Sequence, residues 1–175
     1  MSQGFAIWIT GTPASGKSTI AAEVIRLLAE NYGVRIVHLE SDSLRQILTP
    51  QPTYSSTERD WFYKVMTFLG QLMTTNGLNV LFDASANRRA YRDEARRCIS
   101  RFLEVYVKCP MSVCMARDPK GIYRKAERGM ATNVPGLQDI YEEPVAPECI
   151  VESDRLSAEE CAAHVITAIK QKGWI

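Results

Sequence analysis

The chain has 175 residues, of which 46% are hydrophobic and 23% are charged, and its formal net charge is +1. This composition is typical of a single globular domain with its own core. The near-neutral charge creates no overall field to attract nucleic acid or a membrane, so we expect neither as a partner. No apolar run approaches the ~20 residues of a membrane span, and residues 1–4 lead directly into a predicted strand, which together predict a cytoplasmic protein without a signal peptide. The five cysteines lack CxxC spacing and are interpreted as reduced thiols.

The first elements of the chain form a phosphate-binding motif. Residues 5–10 are an apolar run of strand type, residues 11–18 read GTPASGKS, and helical periodicity follows. A strand, a glycine-rich loop and a helix are the context in which a P-loop holds phosphate on backbone N–H groups. Lys17 is expected to reach the β- and γ-phosphates, and the Ser18 hydroxyl is expected to ligate Mg²⁺. The predicted triphosphate-binding residues are Gly11, Thr12, Pro13, Ala14, Ser15, Gly16, Lys17, Ser18 and Thr19.

The rest of the chain alternates short apolar runs with longer amphipathic stretches. Strands are predicted at 5–10, 34–39, 79–82, 102–107 and 149–152. Helices are predicted at 17–31, 42–47, 57–76, 88–99, 111–117 and 158–172. Thr57 is predicted to begin the third helix as a capped residue, and Ser157 with Glu160 predicts a capping box on the last helix. The alternation predicts an α/β, P-loop kinase-type three-layer fold: a five-stranded, mostly parallel sheet with helices on both faces, as one domain over residues 1–175.

Polar residues follow the second strand, at the sheet edge where sites of such folds lie. Asp42 is placed either to act as a base on an acceptor hydroxyl or to hold Mg²⁺ through water. Arg45 lies one helical turn further on the same face and can clamp an anionic group of the acceptor. The alternative is that Asp42 only caps a helix and Arg45 is a solvated surface charge.

The third strand ends in Asp83, which resembles the acidic end of a Walker B strand and is a second candidate to position Mg²⁺ or water. The sequence leaves open which of Asp42 and Asp83 is the base and which serves the metal. Arg89 and Arg92 follow at a helix start, where they suit acceptor or phosphate contact but equally suit a solvated helix face. Arg96 and Arg97 are interpreted as surface charges.

The longest irregular region, about 118–147, is rich in charge, Gly and Pro and is predicted to be a mobile lid. Its cations can close on a triphosphate and neutralise charge in the transition state, although they also suit a surface loop that charge keeps soluble. They are Lys120, Arg124, Lys125 and Arg128, together with Arg117 directly before the region. His38, in a strand, is predicted to be a core or edge residue. A zinc site is not expected, because neither His38 nor His164 has a partner at ligand spacing.

Together these segments resemble the adenylylsulfate kinase family, which phosphorylates the 3′-hydroxyl of adenosine 5′-phosphosulfate with MgATP in sulfate assimilation. The most specific stretch reads ARDPKGIY at 116–123, preceded by LEVYV at 103–107 and followed by Tyr141-Glu142 and Pro144. The resemblance covers nearly the whole chain. It implies a nucleotide substrate, ATP and Mg²⁺ as cofactors, and a homodimer.

The resemblance also implies roles for particular residues. Lys17 and Asp42 would be catalytic, Asp42 as the base that takes the hydroxyl proton. Arg117 and Lys120 would join the P-loop in binding ATP, and Lys120 would also lie over the acceptor. The remaining acceptor-binding residues would be Arg45, Tyr54 and Arg59, with Tyr54 stacking on the adenine, and the basic cluster after the third strand adds Arg89 as a further candidate.

Departures from the family pattern are concentrated in the acceptor pocket. Glu40-Ser41 replace Asp-Gly ahead of Asp42, Phe62 stands where the family usually has an acceptor-binding Asn, and Ala86-Asn87-Arg88 replace a Ser-Pro-Tyr element. Thr132 replaces a Lys, and Val134 replaces a second stacking Phe. Two alternatives follow: a kinase of this family with another nucleotide-linked or alcohol acceptor, and a non-enzymatic ATP sensor.

Overall fold

The computed structural model describes residues 3–175 and contains one sheet of five parallel strands in the order β2-β3-β1-β4-β5. Met1 and Ser2, on which the expectation of no signal peptide partly depends, lie outside the described residues. The strands are β1 Ala6–Thr10, β2 Ile36–Glu40, β3 Asn79–Asp83, β4 Phe102–Lys108 and β5 Cys149–Glu152. Every neighbouring pair is parallel, which confirms the predicted α/β class.

Seven helices connect the strands within residues 3–175. They are α1 Lys17–Tyr32, α2 Ser41–Leu48, α3 Ser56–Thr75, α4 Arg89–Cys98, α5 Met111–Arg117, α6 Ile122–Glu127 and α7 Ala158–Gln171. The predicted capping box on the last helix is confirmed, since Ser157 and Glu160 bond reciprocally. The prediction that Thr57 caps α3 is wrong: Ser55 is the cap, and its side chain accepts from the Glu58 N–H.

The core has two halves, one on each face of the sheet, because successive residues of β1 point to opposite faces. Ile7 and Ile9 pack with α1 and α7, whereas Trp8 packs with Phe82 and with α3. The rings of Trp8 and Phe82 stack with centroids 4.5 Å apart. All five residues of β1 are buried, so the central strand is a fixed base for the loop that follows it.

The carboxyl ends of the strands meet at one edge of the sheet. β1 leads there into the P-loop, and its neighbour β3 ends in Asp83, opposite Ile9 in the register. His38 lies on the edge strand β2, exposed, with its Nε2 atom 3.8 Å from Asp83 Oδ2. Within residues 3–175, none of the helices is both long enough and apolar enough to cross a membrane.

Candidate active site

A large cavity of about 1070 Å³ opens at this edge of the sheet. Ordinary ligand pockets measure about 300–1,000 Å³, so the volume of this cavity lies at the upper end of that range. The P-loop borders it on one side and the segments after β2 and β3 border it on another, with the lid above. Of the predicted site residues it is lined by Pro13, Ala14, Gly16, Lys17, Ser18, Thr19, Asp42, Arg45, Tyr54, Arg59, Asp83, Arg117 and Lys120.

The P-loop is held in shape by neighbours that leave its phosphate-facing side open. Gly16 begins α1 with φ 98°, a left-handed conformation that favours glycine. The Lys17 ammonium donates to the Thr12 carbonyl at 2.8 Å. Behind the loop, Ser153 donates to the Ser15 carbonyl at 2.6 Å, and Arg117 donates to the Ser153 carbonyl at 2.7 Å. Sequence reasoning missed Ser153, whose only signal is its position directly after β5.

Lys17 and Asp83 form the charged floor of the cavity. Burial lowers the pKa of Lys17, although the charges of Asp83 and Asp42 act in the opposite direction. Burial alone would raise the pKa of Asp83, but neighbouring His38, Ser18 and Lys17 outweigh it and hold that pKa below its usual value. Asp83 is therefore a carboxylate at neutral pH. Its Oδ2 atom is buried and has no hydrogen-bond partner among residues 3–175.

Asp42 lies in the first turn of α2, as predicted, and its carboxylate accepts a hydrogen bond from Lys120 of the lid. The Lys120 ammonium is also 4.0 Å from Glu40. Burial would lower the pKa of Lys120, but the bond and the charge of Asp42 raise it instead. Lys120 therefore stays charged and links the lid to the candidate base.

Arg45 is not a solvated surface charge. It is 7% exposed, its guanidinium lies over the Phe62 ring at 3.8 Å, and Glu58 accepts from it at 3.0 Å. Tyr54, in a left-handed conformation with φ 55°, lies against the same guanidinium at 4.9 Å. Sequence reasoning missed Glu58; its signal was the capping spacing Ser55-x-x-Glu58.

Arg59 lines the cavity, and the lid accepts a hydrogen bond from each of its two terminal nitrogens. It donates to the Asp139 carboxylate and to the Asn133 carbonyl. In this conformation Arg59 therefore holds the lid to α3.

The lid is more ordered than the sequence indicated, since it contains the helix α6. Tyr123 of that helix donates to the Pro13 carbonyl of the P-loop at 2.8 Å. Gly136 lies so close to the P-loop that a Cβ atom there would be 2.5 Å from Met111 Cε and 3.0 Å from Thr12 Cγ2. The lid therefore packs directly on the phosphate-binding loop.

Arg89 and Arg92 are placed away from the main cavity. Arg89 faces Glu142, with Nε to Oε2 at 3.8 Å, and lines a separate, smaller pocket. Arg92 is 1% exposed and bonds to Glu104 at 2.7 Å and to the Glu142 carbonyl at 2.6 Å. Arg92 is thus a buried structural residue. The interpretation of the basic cluster as a solvated helix face is therefore wrong for Arg92.

Comparison with known proteins agrees with this geometry. The family model for adenylylsulphate kinase matches residues 3–152. The chain belongs to the adenylylsulfate kinase family. A probable adenylyl-sulfate kinase of Pyrococcus abyssi is 36% identical over 173 residues, covering 99% of both chains, and one of Archaeoglobus fulgidus is 39% identical over 151 residues, covering 86% of this chain and 97% of the relative.

Among solved structures, the APS kinase of Mycobacterium tuberculosis in complex with AMPPNP and APS superposes with a TM-score of 0.90 at 31% identity. The superposition covers 97% of this chain and 99% of the Mycobacterium tuberculosis chain. Most of the departures of this chain from the family pattern line the cavity, namely Glu40, Ser41, Asn87, Thr132 and Val134, whereas Phe62 is fully buried behind Arg45.

Proposed function

We propose that this protein transfers the γ-phosphate of ATP to the 3′-hydroxyl of adenosine 5′-phosphosulfate. The observation that carries the proposal is that one cavity contains both halves of such a reaction. Lys17 and Ser18 of the P-loop lie at one part of it, Arg45 and Tyr54 at another, and Asp42 shares the same cavity. A family relative with a TM-score of 0.90 is known in complex with AMPPNP and APS.

In the proposed reaction Asp42 takes the proton of the 3′-hydroxyl. The freed oxygen attacks the γ-phosphorus, and the bond from that phosphorus to the β,γ-bridging oxygen breaks, so that ADP leaves. Lys17 stabilises charge on the transferred group, and Lys120 adds a second positive charge from the lid. Lys120 is bonded to the Oδ2 atom of Asp42, which leaves the Oδ1 atom of the same carboxylate to take the proton.

The residues beside the P-loop fit Mg²⁺. The Ser18 side chain is exposed at the start of α1, and the buried Asp83 Oδ2 atom has no hydrogen-bond partner among residues 3–175. Hydroxyl and carboxylate oxygens are the ligands that Mg²⁺ prefers, often through water. We propose that the Ser18 hydroxyl and the Asp83 carboxylate would hold the ion, together with Asp42 through water. When bound, the ion neutralises charge on the β- and γ-phosphate oxygens.

A coupled assay of ADP release tests the proposal, with purified protein, MgATP and adenylylsulfate. We expect turnover that depends on adenylylsulfate and that exceeds the Asp42→Asn variant by at least two orders of magnitude. Parallel arms with other nucleotides and with sugar-type alcohols test the alternative acceptors. Turnover only in those arms, or ATP binding without transfer in any arm, would refute the assigned substrate.

We also propose that the protein is a homodimer, because the family resemblance implies one. Sedimentation equilibrium at micromolar concentration is expected to give twice the chain mass of 19.7 kDa. A single species at the chain mass would refute it.

A further inference from the structure

The guanidinium of Arg45 is fixed from three sides while it still lines the cavity. Its Cζ atom is 3.8 Å from the centroid of the Phe62 ring and 4.9 Å from that of Tyr54. Glu58 lies beside it and accepts from one terminal nitrogen at 3.0 Å. A cation held over aromatic rings and bonded to a carboxylate has few alternative rotamers, so its orientation is set before any ligand arrives.

This arrangement leaves most of the donors of Arg45 available. A guanidinium has five N–H donors in one plane. An aromatic ring that faces this plane does not take hydrogen bonds from those donors. Within residues 3–175, Glu58 is the one side-chain or backbone acceptor that the guanidinium reaches. The remaining donors can therefore take the planar, bidentate contacts that a phosphate-type anion offers.

Glu58 acts on the cavity wall in a second way. The same carboxylate accepts from the Thr53 N–H at 2.6 Å, the Thr53 hydroxyl at 2.8 Å and the Tyr54 N–H at 3.2 Å. Burial would raise the pKa of Glu58, but these bonds and the Arg45 charge hold that pKa below its usual value. The carboxylate of Glu58 thus holds both the guanidinium of Arg45 and the left-handed backbone of Tyr54.

Neither Glu58 nor Phe62 lines the cavity, and Phe62 is fully buried. We infer that both are positioning residues: they hold Arg45 and Tyr54 in the geometry that recognises the anionic end and the base of the acceptor. The inference depends on the proposed function. Since the family usually has an acceptor-binding Asn at position 62, this chain has replaced a direct contact with indirect support of Arg45.

Steady-state kinetics with both substrates test the inference. Phe62→Leu keeps an apolar side chain but removes the ring. It is expected to raise the KM for adenylylsulfate about 5- to 10-fold, because one partly desolvated cation–π contact is lost. Glu58→Gln is expected to raise it about 10- to 50-fold, and Glu58→Asp to restore part of the loss. The KM for ATP and the kcat at saturating acceptor are expected to stay within about twofold.

The matched control is Phe68→Leu, the same substitution on the same helix at a ring that is 60% exposed. It is expected to leave all constants unchanged. Equal increases in both KM values, or a fall in kcat alone, would assign Glu58 and Phe62 a merely structural role and overturn the inference.

A spectroscopic readout separates this inference from the proposed function. The Nε–H resonance of Arg45, assigned by its absence in Arg45→Lys, is expected to be shielded by the Phe62 ring and to move downfield in Phe62→Leu but not in Phe68→Leu. If the protein fails to turn over adenylylsulfate but the resonance moves, the substrate is wrong and the support of Arg45 stands. If the resonance does not move, the inference is overturned whatever the acceptor is.

Discussion

The ammonium group of Lys120 lies against the carboxylate of Asp42, so the lid contacts the first turn of α2 at the cavity. The two residues are 78 positions apart in the chain, and each is about half exposed. An exposed ion pair of this kind contributes little to stability, so the contact between the lid and α2 can open at little cost in free energy.

Replacement of Asp42 tests its role as the base. Asp42→Asn is expected to lower kcat by about 10²- to 10⁴-fold, because an amide cannot take the hydroxyl proton. ATP binding, measured by isothermal titration, is expected to change little. Asp93→Asn, at an exposed site on α4, serves as the control. A variant with more than a tenth of the normal kcat would exclude Asp42 as the base.

The lowered pKa of Lys17 predicts the alkaline side of the pH profile. Lys17 binds phosphate in its charged form, and burial makes it lose the proton at a lower pH than an ordinary lysine, whose pKa is 10.5. We therefore expect kcat/KM for ATP to fall as the pH rises through a value below 10.5. Lys120 does not cause this fall, because its pKa is raised and its deprotonation lies above 10.5.

The matched variant for this pH profile is Lys17→Arg. A guanidinium stays charged throughout the range, so the remaining activity of this variant is expected to lack the alkaline fall. A wild-type profile that stays flat up to pH 10.5 would show that Lys17 does not control it.

Removal of the Ser18 hydroxyl tests the metal site. Ser18→Ala is expected to raise the Mg²⁺ concentration for half-maximal activity about 10- to 100-fold, because one oxygen ligand is lost. A titration of activity against Mg²⁺ at fixed total ATP measures the effect, with Ser100→Ala, at an exposed loop position, as the control. Identical titration curves for Ser18→Ala and the wild type would argue against direct ligation.

The buried pair of Arg92 and Glu104 predicts a large effect on stability. Their side chains are 1% and 7% exposed, so Arg92→Met leaves a buried carboxylate without its main partner. The free energy of unfolding in urea is expected to fall by about 3–5 kcal/mol. Arg97→Ala, at a side chain that is 71% exposed, is expected to change it by less than about 0.5 kcal/mol.

A second substitution separates the charge effect from lost packing. Arg92→Met with Glu104→Gln is expected to recover part of the stability, because the unpaired charge is gone. No recovery would mean that the loss comes from packing alone.

The sequence predicted the elements that local pattern controls. The P-loop, the five strands and the capping box at Ser157 depend on neighbours in the chain, and they appear where expected. The helix α6 was missed because Pro119 and Gly121 indicated an irregular segment. Its own signal was apolar spacing, with Ile122, Tyr123 and Ala126 packing on one side.

Long-range relations were harder to predict, because a charged residue has the same appearance in a sequence whether it is solvated or buried. Arg45 and Arg92 are both buried, yet one lines the cavity and the other supports the fold. Phe62 was expected to affect the acceptor pocket by the loss of a contact, whereas it lies behind Arg45. Only the three-dimensional arrangement separates these cases.

The contacts of Arg59 have a consequence for acceptor affinity. Its guanidinium already has two partners in the lid, Asp139 and the Asn133 carbonyl. An acceptor that takes the same two donors of Arg59 has to replace these partners, so the contribution of those contacts to affinity would be a difference between two hydrogen-bonded states. If the acceptor takes these donors, acceptor binding and release of the lid from α3 become one coupled equilibrium, and substitutions at Asp139 would change the affinity for the acceptor through Arg59.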